Sequence, residues 1–183
     1  MRILGVSGSL RRDSHNTRLL GGAEKLLPPG IELVLFDRLG EIPPFNEDQE
    51  NETPAAVAEL KAAIAASDAL LVATPEYNGS IPGVLKNALD WVSRPVAENP
   101  LRGKPAAVVG ASTSLFGAVW AQAETRKVLG TIGARVVDRE LPVAQAEEAL
   151  GADGLPVERD ALDALSATLD ELIELAEPQR VAA

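Results

Sequence analysis

Five short apolar segments alternate with five segments of helical periodicity along this 183-residue chain. The apolar segments indicate buried strands, which we predict at residues 2–7, 31–36, 69–73, 104–109 and 134–137, the last extending toward Leu141. The predicted helices cover residues 17–27, 54–67, 82–92, 118–131 and 157–175, and residues 147–155 are expected to form a loop. This alternation predicts a parallel sheet that is covered by helices on both faces.

The loops after the first, third and fourth predicted strands are polar and rich in Gly or Ser. In a sheet of order 2-1-3-4-5, the loops after the first and third strands flank the point where the strand order reverses. Ligands of open α/β sheets bind in the crevice at that point, outside the carboxyl ends of the strands. The sequence therefore predicts one ligand site there.

Composition narrows the possible partners. A formal net charge of −10 and a sequence pI near 4.6 argue against a nucleic-acid partner. No apolar run is long enough to cross a membrane. Because the chain has no Cys and one His, neither a disulfide framework nor a bound metal is predicted. The chain starts directly with a strand-like run and shows no signal-peptide pattern, as expected of a cytoplasmic protein.

The loop at residues 8–16 has the composition of a phosphate cradle. It supplies several hydroxyl groups, one amide and the guanidinium of Arg11, and it opens a helix whose free N–H groups attract anions. Its spacing matches neither a Walker phosphate loop nor a dinucleotide-binding fingerprint. Ser14 or Asn16 is expected to cap the helix. The alternative is an ordinary capped helix with solvated surface arginines.

The loop that begins at Thr74 is polar and is stiffened by Pro and Gly. It contains the only Tyr of the chain, Tyr77, between Glu76 and Asn78. Such side chains at the carboxyl end of a strand predict a surface that faces a ligand. The alternative is a plain strand-to-helix connection without a ligand.

Two stretches of this chain resemble the signatures of one known family. Residues 8–16, Gly-Ser-Leu-Arg-Arg-Asp-Ser-His-Asn, resemble the GSLRxxSxN loop of the NAD(P)H-dependent FMN reductase family. Pro-Glu-Tyr-Asn at residues 75–78, followed by Pro82-Gly83, Lys86-Asn87 and Asp90-Trp91, resembles its second signature, roughly 60 residues further on. The resemblance implies a flavodoxin-like three-layer sandwich with a five-stranded parallel sheet in the order 2-1-3-4-5. It also implies a single FMN-binding domain at residues 1–176, followed by a disordered tail at residues 177–183.

The resemblance further implies which residues hold FMN. The phosphate would lie against residues 9–16, the isoalloxazine ring along residues 75–78, and Ser112 would approach the ring from the other side. Glu76 would act mostly through its backbone, and His15, at a position where the family motif varies, is interpreted as a loop residue and not a catalyst. The implied set is Ser9, Leu10, Arg11, Ser14, His15, Asn16, Pro75, Glu76, Tyr77, Asn78 and Ser112.

The activity implied by the resemblance is transfer of hydride from NADPH or NADH to bound FMN. The electrons would then pass to a small acceptor, such as a quinone, a flavin, an azo compound or a metal oxyanion, in a ping-pong scheme. No side-chain acid or base is required, so no catalytic residue is predicted. The resemblance also implies a homodimer or homotetramer.

Two other classes of protein remain as alternatives. One is an electron-transfer or flavin-binding protein of the same fold without nicotinamide turnover. The other is a phospho-acceptor signalling domain, which is disfavoured because the chain lacks an acidic cluster after the first strand and an acceptor Asp after the third.

Several aromatic residues outside the two motifs also carry predictions. Phe45 and Phe116 are expected to line a substrate pocket, and Trp91 and Trp120 are expected to make core or subunit contacts. Phe45 lies in a long polar connection at residues 37–53, which is interpreted as functional or mobile.

Overall fold

The computed structural model describes residues 1–177. The strands are β1 (Arg2–Ser7), β2 (Glu32–Phe36), β3 (Ala69–Ala73), β4 (Pro105–Ala111), β5 (Arg135–Val136) and β6 (Pro142–Val143). The α-helices are α1 (His15–Glu24), α2 (Ala55–Ala65), α3 (Gly83–Val92), α4 (Val119–Thr131), α5 (Ala146–Ala149) and α6 (Arg159–Ala176). Of the helices in this part of the chain, none has both the length and the apolar character that crossing a bilayer requires.

The strands form one parallel sheet in the order β2-β1-β3-β4-β5, which confirms the predicted topology. The central strand β3 is buried along its whole length, and its side chains alternate between the two faces. Leu71 packs under α1 and α6, whereas Leu70 belongs to the core beneath α2, α3 and the end of α4. Burial on both faces explains why this strand is a continuous apolar run in the sequence.

The far edge of the sheet differs from the prediction. Instead of one strand extending toward Leu141, two separate two-residue strands, β5 and β6, both pair with β4. Residues 138–140 between them are charged and exposed: Arg139 pairs with Glu171, and Glu140 pairs with Arg126. These charged side chains interrupt the edge strand, so the sheet has six strands and not five.

The predicted loop at residues 147–155 is also partly wrong, because α5 covers residues 146–149. The other helices begin and end within about three residues of their predicted bounds, as is usual for helix ends that fray or tighten. The predicted tail begins at Glu177, which follows the end of α6. Its remaining residues, 178–183, lie outside the described part of the chain.

The long connection after β2 packs against α3 and contains two short 3-10 turns, at Leu39–Glu41 and Glu47–Gln49. Asn87 accepts a hydrogen bond from the backbone N–H of Phe45 (2.7 Å) and donates one to the carbonyl of Pro43 (2.9 Å). The indole of Trp91 donates to the same carbonyl (2.8 Å). The connection is therefore attached to the core at its centre. Trp91 is a core residue, as predicted, at 1% exposure.

Candidate functional site

A cavity of about 300 Å³ lies at the carboxyl ends of β1, β3 and β4, where the strand order reverses. It is bounded by the loops that follow these three strands. Nine of the eleven residues predicted for the site line it, namely Ser9, Arg11, Ser14, His15, Asn16, Pro75, Glu76, Tyr77 and Ser112. Ala111 and Thr113 complete the lining. The topology thus brings together residues that are about 100 positions apart in the sequence.

The loop after β1 passes close to the sheet, and α1 begins directly after it. The N–H of Gly8 donates to the carbonyl of Ala73 (2.8 Å), and a Cβ at Gly8 would lie 3.1 Å from Leu85 and 3.2 Å from Pro75. Ser14 is the N-cap of α1, since its hydroxyl accepts from the N–H of Thr17 (3.3 Å). The other N–H groups of the first turn have no intrahelical acceptor, which makes this end of the cavity suitable for an anion.

Two basic side chains of the cavity have no anionic partner within residues 1–177. Arg11 takes part in none of the ion pairs found there. Both ring nitrogens of His15 are buried and lack a hydrogen-bond partner. Burial and the nearby guanidinium groups of Arg11 and Arg18 lower the pKa of His15, while Glu147 acts in the opposite direction. This end of the cavity therefore has unused capacity to bind negative charge.

Asn16 has a different set of partners from its neighbours in the loop. Its side-chain amide donates to the carbonyl of Ala111 and accepts from the N–H of Ala111, both at 2.9 Å. Asn16 and Ala111 are each 2% exposed. The side chain thus joins α1 to the end of β4 and holds two walls of the cavity together. A contact between this residue and a phosphate stays a prediction, and its backbone N–H is the group left to make it.

The loop after β3 contains a two-residue hairpin between Tyr77 and Ser80. Their backbone groups exchange hydrogen bonds of 3.1 and 3.2 Å, and both central residues, Asn78 and Gly79, have positive φ values of 55° and 74°. This is the conformation that an Asn-Gly pair favours in a tight turn. Asn78 lies at the tip and does not line the cavity.

Leu10 is the other predicted residue that does not line this cavity. It lies on a neighbouring cavity of about 470 Å³ between the first loop and the end of β2. A Cβ on Gly40 would lie 3.4 Å from the Leu10 side chain. The two cavities share Ser9 and Arg11 in their linings. Leu10 therefore faces the connection after β2 while its neighbours face the crevice.

Two glutamates form hydrogen bonds that join the loop after β3 to α4. The carboxylate of Glu76 accepts from the N–H groups of Trp120 (3.0 Å) and Ala121 (3.1 Å), in the first turn of α4. In return, Glu124 of α4 accepts from the hydroxyl of Ser80 (2.6 Å) and from the N–H of Ile81, and these bonds lower the pKa of that carboxyl group. The residue that precedes α4, Ala118, has no side-chain cap to offer, so Glu76 serves as the cap from another part of the chain.

An exposed aromatic surface lies at the start of α4, the helix whose first turn binds the Glu76 carboxylate of the cavity lining. The rings of Phe116 and Trp120 lie 4.9 Å apart at 58°, and both are more than half exposed, as is Tyr77. Phe45, the other predicted pocket residue, lies elsewhere and packs edge-on against Trp91 at 5.0 Å. Neither ring of this predicted pair lines the cavity.

The donor set of the cavity is suited to an organic phosphate. One end combines a helix N-terminus, hydroxyl groups and a guanidinium, and the other is a shelf formed by Pro75, Glu76 and Tyr77 opposite Ser112. Within residues 1–177 no group of three or more His, Cys, Asp or Glu side chains is placed to hold a metal ion. FMN, which has a phosphate at one end and a flat ring at the other, fits this division.

Comparison with known proteins gives consistent results. The model of a family described as NADPH-dependent FMN reductase matches residues 1–148. An NAD(P)H-dependent FMN reductase of Pseudomonas aeruginosa is 42% identical over 94% of this chain and 93% of its own length. A 2-hydroxy-1,4-benzoquinone reductase of a Burkholderia species is 35% identical over 99% of both chains.

Solved structures agree with the sequence relatives. FerB, a flavoenzyme NAD(P)H:(acceptor) oxidoreductase of Paracoccus denitrificans, superimposes with a TM-score of 0.83 at 36% identity, over 96% of each chain. A flavodoxin of Pseudomonas aeruginosa shares the fold, with a TM-score of 0.60 at 21% identity. The chain therefore belongs to the NADPH-dependent FMN reductase family, and it is a flavodoxin-like oxidoreductase whose cofactors are FMN and NAD(P)H.

Proposed function

We propose that FMN binds in the 300 Å³ cavity with its phosphate at the N-terminus of α1 and its ring between residues 75–77 and Ser112. The observation that carries this proposal concerns one end of the cavity: within residues 1–177, Arg11 makes no ion pair and the ring nitrogens of His15 have no hydrogen-bond partner. At the other end the carboxylate of Glu76 and the hydroxyl of Ser112 already make hydrogen bonds within the protein. A phosphate supplies the negative charge that only the first end needs.

The shelf has few backbone donors for the polar edge of a flavin. Pro75 has no N–H, and the N–H of Tyr77 already donates to Ser80. Glu76 and Asn78 are then the residues of this segment whose N–H groups are available to a ring. Backbone donors at such an edge stabilise negative charge that develops on a reduced ring.

The reaction we propose is NAD(P)H + H⁺ + quinone → NAD(P)⁺ + hydroquinone. When bound, FMN would supply the redox chemistry that links the nicotinamide to the acceptor. The protein supplies position and exclusion of water, and it requires no side-chain acid or base. A quinone acceptor is supported by the relative named 2-hydroxy-1,4-benzoquinone reductase and by the exposed ring pair Phe116–Trp120 at the start of α4, whose first turn binds Glu76 of the cavity lining.

A homodimer or homotetramer, which the family resemblance implies, is part of the same proposal. Three large apolar side chains at and just before the start of α4 are exposed, namely Leu115, Phe116 and Trp120. A second copy of the chain would cover them and close the site toward solvent. Light scattering should give two or four times the chain mass of 19.2 kDa, and a monomer would contradict this part of the proposal.

We also propose a cytoplasmic location. It is supported by a chain without Cys, which needs no oxidising compartment, and by the reduced nicotinamide that the reaction consumes. Fractionation of the source cells, with detection of this chain by an antibody, should recover it with the cytoplasmic markers.

Steady-state kinetics test the proposed reaction. With FMN-loaded protein, NADPH and a series of benzoquinone concentrations, a ping-pong scheme predicts parallel lines in a double-reciprocal plot. Intersecting lines would mean that donor and acceptor bind together, which would contradict alternating use of one site. Rapid reduction by NADPH without transfer to quinone, free flavin, azo compound or chromate would favour the electron-carrier alternative.

A further inference from the structure

His15 is the one histidine of the chain, and its imidazole has an unusual environment. Among the buried side-chain nitrogen and oxygen atoms of residues 1–177, only its Nδ1 and Nε2 lack a hydrogen-bond partner. Buried polar groups in native proteins are almost always paired, so an unpaired imidazole indicates a missing partner.

The imidazole lines the cavity at the point where an anion is expected. His15 is the first residue of α1, directly after the N-cap Ser14, and it shares the cavity wall with Ser9 and Arg11. The helix N-terminus and the guanidinium both favour negative charge. A phosphate at this point would provide acceptors for the unpaired ring.

The charged groups around His15 come from three elements. Burial, together with Arg11 of the first loop and Arg18 of α1, lowers the pKa of the imidazole, and Glu147 of α5 raises it. Across the cavity, the carboxylate of Glu76 is bound to two N–H groups of α4. Tyr77 is the remaining titratable side chain of the lining. With these neighbours the imidazole of the cofactor-free protein is neutral at pH 7.

We propose that His15 is a proton-coupled contact for the FMN phosphate, neutral in the cofactor-free protein and protonated when the phosphate binds. The proton comes from solvent, and the imidazolium then donates to a phosphate oxygen. This inference rests on the placement of FMN given under the proposed function. The contact would favour FMN over riboflavin, because riboflavin has no phosphate and its binding would not be coupled to protonation of His15.

The proposal has a defined consequence for binding. A phosphate dianion within a few ångströms raises the pKa of the imidazole by about one to three units. Between the pKa values of the free and the bound state, FMN affinity should fall by up to about tenfold for each unit of rising pH. Above and below that window, His15 contributes no pH dependence. Riboflavin affinity should show no contribution from His15 at any pH.

Proton NMR can test this directly because the chain has a single histidine. In untagged protein, the imidazole C2–H resonance should titrate below pH 6.5 without cofactor and at least one unit higher with bound FMN. Riboflavin should leave the midpoint near that of the cofactor-free protein. Inorganic phosphate alone, at saturating concentration, should move it in the same direction as FMN.

A binding experiment gives an independent result with a matched variant. FMN affinity is measured between pH 5.5 and 9 for the natural chain and for His15→Gln, which keeps a polar side chain of similar length without a titrating ring. The phosphate group of FMN titrates in both proteins, so the ratio of the two affinities isolates His15. The ratio should be largest at low pH and should decline by about tenfold or more toward pH 9.

Three results would contradict the proposal or its basis, and they can be told apart. If FMN binds and the C2–H midpoint does not move, the proton coupling is wrong while the flavin site stands. If the affinity ratio is constant with pH, His15 contacts FMN without a proton or not at all. If neither FMN nor riboflavin binds, the proposed function itself fails, and this inference fails with it.

Discussion

The two ends of the cavity show opposite ways of preparing for a ligand. At the end near α1, the side chains of Arg11 and His15 have no partner within residues 1–177, so binding free energy is available there. At the end near α4, one carboxylate oxygen of Glu76 accepts from two N–H groups of the helix, and Tyr77 and Ser80 exchange backbone hydrogen bonds. The first end is built to hold charge, and the second is built to keep its shape. Substitutions at the two ends should therefore have different effects on cofactor affinity and on folding stability.

Substitution of Asn16 should have the largest effect on folding stability. Asn16 lies at the first end of the cavity, but its side-chain amide is already hydrogen-bonded to Ala111. Asn16→Ala would leave the buried N–H and carbonyl of Ala111 unsatisfied, at a cost of roughly 2–4 kcal/mol in the free energy of unfolding. Urea unfolding of the cofactor-free protein measures it. Asn46→Ala, which removes an amide from an exposed turn, is the matched control and should cost less than about 1 kcal/mol. Equal stabilities of the two variants would mean that Asn16 serves the ligand and not the fold.

Arg11→Ala should have the converse effect. Loss of a charge-assisted bond to the phosphate should weaken FMN binding by about 1.5–3 kcal/mol, with little change in the stability of the cofactor-free protein. Arg12→Ala is the matched control, since Arg12 lines the neighbouring cavity and not this one. Fluorescence titration with FMN separates the two variants. Equal affinities would remove Arg11 from the phosphate site.

Glu76→Ala tests the rigid end. Loss of the cap on α4 should lower the free energy of unfolding by about 0.5–2 kcal/mol, measured on cofactor-free protein by thermal or urea unfolding. Glu76→Gln retains one acceptor oxygen and should lose less. A variant with unchanged stability and strongly weakened FMN binding would show that the carboxylate belongs to the ligand and would reverse the comparison between the two ends.

The smallest effect concerns the pH dependence of the cofactor-free protein. The folded state lowers the pKa of His15, so near pH 6 the unfolded chain binds more protons at this residue than the folded chain. The contribution of His15 to stability is therefore full above about pH 6.5 and is lost as the pH falls below that value. The difference in stability between the natural chain and His15→Gln should change in this direction between pH 7 and pH 5. If the stability difference changed with pH in the opposite direction, the interpretation that His15 is neutral in the cofactor-free protein would be wrong.

Sequence patterns were sufficient for the fold, and nine of the eleven predicted site residues line one cavity. Parallel topology follows from the alternation of segments, and the residues of two loops converge because the carboxyl ends of β1 and β3 are adjacent. Leu10 and Asn78 are the predicted residues that do not line the cavity. The Asn78–Gly79 pair is a known signal for a tight hairpin and would have placed Asn78 at a tip. For Leu10 no comparable signal exists, because the direction of one side chain within an irregular loop depends on its tertiary neighbours.

Hydrogen bonds between side chains and groups far apart in the chain could not be predicted from the sequence. Nothing in the residues around Glu76 indicates that it caps a helix more than 40 positions away, and the same holds for Asn16 and Ala111. The charged residues 138–140 did carry a signal, since a charged stretch argues against a continuous strand. Long-range pairing of polar side chains is decided by the packed fold, which local periodicity does not contain.

The most direct test of the account is the visible spectrum of the purified protein before and after anaerobic addition of NADPH and then NADH. The account predicts a yellow protein, or one that becomes yellow with FMN, whose absorbance near 450 nm is bleached within seconds by at least one donor. A yellow protein that stays oxidised with both donors would favour an electron carrier. A colourless protein that does not take up FMN would contradict the central claim.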